Sequence, residues 1–85
     1  MAPDTRRTRA AGEIITLHYL GTRNAWAVYV KGSPMLVGYV ASDNDGYTTV
    51  MDKGWERLRV CNNEHAALAF LVGYSAYARR ERIWV

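Results

Sequence analysis

Glu64 to Arg82, EHAALAFLVGYSAYARRER, is the one long stretch of this chain with helical character, so what precedes it must supply the surface it covers. Asn62 and Asn63 stand just before it, and a short side-chain oxygen there can accept from the unpaired amides of a first helical turn. Glu64 puts a negative charge at the positive end of the helix dipole. Arg79, Arg80 and Arg82 put cations at the other end. At about 3.6 residues per turn, Ala67, Phe70, Leu71, Tyr74 and Ala78 share one face, with Tyr77 at its edge. That large apolar face is expected to lie on a sheet. The opposite face carries His65, Ala69, Val72, Gly73 and Ala76, where a solvent face would normally carry Lys and Glu. Such a strip is either a small-residue surface that tolerates water or a contact surface for a second copy or another protein.

The residues before the helix read as strands and turns. Glu13–Leu20 (EIITLHYL) is rich in β-branched and aromatic residues. Ala25–Lys31 alternates, with Trp26, Val28 and Val30 on one side and Ala27, Tyr29 and Lys31 on the other. Met35–Ala41 is a third strand, in which Gly38 marks a bulge or a close backbone approach. Tyr47–Met51 and Trp55–Val60 complete the set. Gly21–Asn24, Gly32–Pro34, Ser42–Gly46 and Asp52–Gly54 supply the turns between them. Short connections favour a meander, so the expected fold is α+β: a small antiparallel sheet of four to five strands with one C-terminal α-helix packed on one face. Eighty-five residues allow a single such domain, placed at 13–85, after a basic N-terminal arm at 1–12.

Charge is unevenly placed. Residues 1–12 carry Arg6, Arg7 and Arg9 against Asp4, and residues 79–85 carry Arg79, Arg80 and Arg82 against Glu81. Between them, Arg23, Lys31, Lys53, Arg57 and Arg59 are slightly outnumbered by Glu13, Asp43, Asp45, Asp52, Glu56 and Glu64. The basic character therefore sits at the two ends. Such ends attract phosphate backbones or acidic surfaces, and they also serve as solvated tails. No run approaches the roughly 20 apolar residues of a membrane helix, and the first residues lack the apolar core of a secretory signal. With the lone Cys61 unable to form an internal disulfide, the expected location is intracellular, in the cytoplasm.

Catalysis needs a nucleophile or acid beside an orienting partner, and the sequence offers little of that kind. His18 lies in a strand and His65 at the helix start, with Cys61 four residues before it. No HxxxH or CxxC spacing points to zinc. Asp43-Asn44-Asp45-Gly46 resembles part of a calcium loop but lacks its closing Glu, so a hairpin turn is expected. The expectation is a non-enzyme with no cofactor, no metal, no small-molecule substrate and no membrane partner.

More informative is the sheet face turned from the helix. With Trp26, Val28, Val30, Val50, Leu58 and Val60 toward the helix, Tyr29, Lys31, Trp55, Arg57 and Arg59 face away, and Tyr39 and Tyr47 can join them. Rings interleaved with cations are what a sheet uses to stack on bases and grip phosphates. The expected function is a non-catalytic accessory or regulatory module that contacts nucleic acid. Arg6, Arg7, Arg9, Arg79, Arg80 and Arg82 would dock it, with Tyr29, Lys31, Trp55, Arg57 and Arg59 on the sheet. The alternative is a protein-interaction or assembly component, a homodimer or partner binder. It would use His65, Ala69, Val72, Gly73 and Ala76, with the arm wrapping a neighbour.

Overall fold

The computed structural model describes residues 4–31 and 36–83, with the side chains of 76–83 outside the description. Six strands run in order β1 (Thr5–Ala10), β2 (Glu13–Leu20), β3 (Ala25–Val30), β4 (Leu36–Ser42), β5 (Thr48–Met51) and β6 (Arg57–Cys61). Helix α1 (Glu64–Ile83) follows. Each strand pairs antiparallel with the next, giving one meander in sequence order. The expected α+β class and antiparallel sheet are found. The strand count is six rather than four to five.

The extra strand comes from residues read as an arm. Thr5–Ala10 pairs along β2 from Thr5 opposite His18 to Ala10 opposite Glu13. Only Ala11 and Gly12 connect the two strands, both at positive φ (52° and 78°), as a two-residue hairpin turn requires. TRRTRA has no apolar alternation because it is an edge strand, where charged side chains discourage pairing with other sheets.

Helix α1 touches β4, β5, β6 and also β1. Strands at opposite ends of the strand order reach one helix, so the sheet curls around it. Between them lie Ile15, Leu17, Val28, Val40 and Val50 from the sheet and Ala67, Leu68 and Leu71 from the helix, all at most 1% exposed. The contact is close at Gly38, where a Cβ would meet Met51 O at 2.5 Å and Leu71 Cδ1 at 2.9 Å. Gly38 also adjoins a bulge, since Val28 pairs with Gly38 but Tyr29 with Leu36, leaving Val37 extra.

Two orientations differ from expectation. The helix is centred on Ala67, Leu68 and Leu71, while Tyr74 is 37% exposed. Compact aliphatic side chains fit the space over Gly38, Phe70 packs partly against the core as expected, and the Tyr74 ring lies outside it, 6.3 Å from the Phe70 ring centre. In β6, Val50 pairs with Arg59 but Met51 with Arg57, so Leu58 is an inserted residue. A one-residue insertion reverses every position beyond it. Arg59 therefore joins the helix side, with its guanidinium 5.4 Å from the Phe70 ring centre. Val60 turns outward, half exposed, and Leu58 still packs on the core.

Local signals explain the ends of the elements. Asn63 caps the helix, its Oδ1 accepting from Ala66 N at 2.8 Å. Asp43 Oδ1 accepts from the amides of Asp45 and Tyr47, which fixes the β4–β5 turn as a hairpin. Thr48, fully buried, shares a 2.9 Å hydrogen bond with Ser42. Among the described residues, no helix is long and apolar enough to cross a membrane.

Candidate binding surface

Antiparallel neighbours directly opposite each other share a face, so the register sorts the side chains. Toward the helix go Arg6, Thr8 and Ala10 of β1, opposite Leu17, Ile15 and Glu13. Trp26, Val28 and Val30 of β3 lie on the same side. The outward face reads Thr5, Arg7 and Arg9 on β1, then Ile14, Thr16, His18 and Leu20 on β2. It continues with Ala25, Ala27 and Tyr29 on β3, then Leu36, Tyr39 and Ala41 on β4. Thr49 and Met51 on β5, with Arg57 and Val60 on β6, complete it. None of these outward strand positions holds a carboxylate.

The cations of this face form two groups. Arg9 lies opposite Ile14, and Lys31 donates its amide to Ile14 O at 2.8 Å from the other side. Arg7 lies one row away, opposite Thr16, which pairs in turn with Tyr29. Arg57 sits at the far edge in the row of Ala27, Tyr39 and Met51. Arg7, Arg9, Lys31 and Arg57 are all exposed.

Two aromatic groupings lie between them. His18 meets Tyr29 edge to face, centroids 5.4 Å apart at 87°, and its Nδ1 is 3.0 Å from Thr5 Oγ1. Tyr39 stacks with Trp55 at 3.6 Å and 11°. The Arg23 guanidinium lies 4.5 Å from the centre of the same indole. One indole face is already occupied by Tyr39 at a tighter spacing, so Arg23 covers the other. Tyr39, Trp55 and Arg23 form three layers.

The β5–β6 loop is built to hold that arrangement. Trp55 adopts φ 68°, a conformation that bulky residues rarely take. Asp52 anchors the loop by accepting from Gly54 N and Glu56 N through Oδ1. The Asp52 and Trp55 backbones are tied to Glu56 O and Asp52 O respectively.

Other expected site residues lie elsewhere. Arg6 points to the helix side, where it forms an ion pair with Glu64 and lies 4.4 Å from the centre of the Trp26 ring. It is therefore engaged within the fold, apart from Arg7 and Arg9. Arg59 shares that side, and Tyr47 stands in the β4–β5 turn, 48% exposed. On the helix flank, His65 and Gly73 are exposed, while Ala69 and Val72 pack partly against the core. The side chains of Ala76, Arg79, Arg80 and Arg82 lie outside the described residues. Cys61 is buried in the core whereas His65 is exposed.

Sequence pattern does not single out His18 or Arg23, and it offers Tyr39 only as a ring that can join the outward face. Arg23 and Trp55 lie in separate turns, and no periodicity links two turns. No family model, no curated protein and no solved structure matches this chain.

Proposed function

We propose that this protein is a non-catalytic binding module, an accessory or regulatory component that contacts nucleic acid through the outward face of its sheet. The observation that carries the reading is the segregation of charge. Arg7, Arg9, Lys31 and Arg57 stand on a face whose strand positions hold no carboxylate. The acids lie ahead of β1 at Asp4, at Glu13, in the turns, at the helix start and late in the helix at Glu81. A chain of formal net charge +3 can thus concentrate positive charge on one surface, and phosphates respond to that local field. Aromatic side chains between the cations add a surface on which bases can stack. The helix flank is the weaker candidate for a partner, because Ala69 and Val72 already spend part of their surface on the core.

Fluorescence anisotropy with short oligonucleotides across a salt series tests this reading. Four phosphate contacts should give a slope of log affinity against log salt of about −3. Changing Arg7, Arg9, Lys31 and Arg57 together to Gln should abolish binding while the thermal melt stays near that of the parent. Binding that survives this change, or that ignores salt, contradicts the proposal.

A further inference from the structure

We infer that the Tyr39–Trp55–Arg23 stack is a slot for one unpaired nucleobase, which makes the nucleic acid single-stranded. This rests on the reading of the outward face as a nucleic-acid surface. The loop places Trp55 in a left-handed conformation and ties it down through Asp52 Oδ1 and two backbone hydrogen bonds. Residues held in such sparsely populated conformations cluster at ligand sites. What the loop achieves is an indole lying flat on Tyr39, with its outer face covered by a side chain from another loop.

That cover is exchangeable. A single guanidinium over a partly exposed indole such as Trp55 is held more weakly than a base stacked on one. Arg23, itself exposed, can give up the indole to a base and pair with the phosphate of the same strand. In a duplex the faces of each base are covered by its neighbours, so only an unpaired base can take this place. Cations at both ends of the outward face, Arg9 and Lys31 near one and Arg57 at the other, give a single strand a charged path past the stack.

The test compares a thymidine 15-mer with a mixed-sequence duplex of similar charge, using the full chain and the variants Trp55→Ala and Trp55→Phe. Trp55→Ala should weaken single-strand binding about tenfold, leave duplex binding unchanged, and be largely rescued by Trp55→Phe. In a Trp26→Phe/Trp84→Phe background, where Trp55 is the sole indole, the oligonucleotide should quench its emission. That readout decides the matter if Trp55→Ala does not fold. Oligonucleotide binding with unquenched Trp55, or equal losses for single strand and duplex, overturns the slot and leaves the nucleic-acid reading standing. No binding of either probe at low salt removes both.

Discussion

Gly38 and Gly73 show how differently one residue type is used in this chain. At Gly38 a Cβ would lie 2.5 Å from a backbone oxygen, Met51 O, which cannot swing aside as a side chain can. Gly38→Ala should therefore cost about 2–3 kcal/mol, the scale of overpacking in a dense core. At Gly73 nothing lies within 4 Å of the added Cβ, so Gly73→Ala should add about 0.5–1 kcal/mol through helix propensity. Urea denaturation midpoints of the two variants should move in opposite directions. Movement of both in the same direction would contradict the packing described. Trp55 is the third residue whose backbone matters. Its left-handed conformation stores strain of about 1–3 kcal/mol, which the Asp52 hydrogen bonds and the Tyr39 stack offset.

Among the elements, the helix was legible in extent but not in rotation. Asn63 and Glu64 fixed its start, and that start is where the structure has it. Its inward face is set by what fits over Gly38, which involves residues distant in sequence. Leu68→Ala should consequently cost about 2–5 kcal/mol, whereas Tyr74→Ala should change stability by less than about 1 kcal/mol. Thermal or urea melts giving the reverse order would restore the sequence-based face. The strands from β2 to β6 were legible because their alternation and turn residues are local signals. Strand β1 was not, since TRRTRA carries no hydrophobic pattern and Ala11-Gly12 is a weak form of the hairpin signal. The reversal in β6 escaped for a related reason. Leu58 and Val60 alternate in sequence, but the bulge at Leu58 breaks the alternation in space. The candidate site was therefore half visible: Tyr29, Lys31, Trp55 and Arg57 were legible, while Arg23 and Tyr39 became partners of Trp55 only through folding.

At the scale of the molecule, the curled sheet sends six of the described cations to two different sides. Inside the curl, Arg6 is neutralised by Glu64 and Arg59 lies against Phe70. Outside it, Arg7, Arg9, Lys31 and Arg57 are exposed on a face without carboxylates at its strand positions. At the N-terminal end, the side of the sheet that each of Arg6, Arg7 and Arg9 occupies therefore separates residues that sequence position groups together. Arg57 and Arg59, two residues apart on β6, make the sharpest comparison because the bulge sends them to opposite sides. The decisive measurement is the salt dependence of single-stranded oligonucleotide affinity for Arg57→Gln and Arg59→Gln, two variants of equal net charge. Arg57→Gln should lower the slope by about 0.7 and weaken binding, while Arg59→Gln should leave the slope as in the parent. Equal effects of the two changes, or a larger one at Arg59, would contradict the assignment of binding to the outward face.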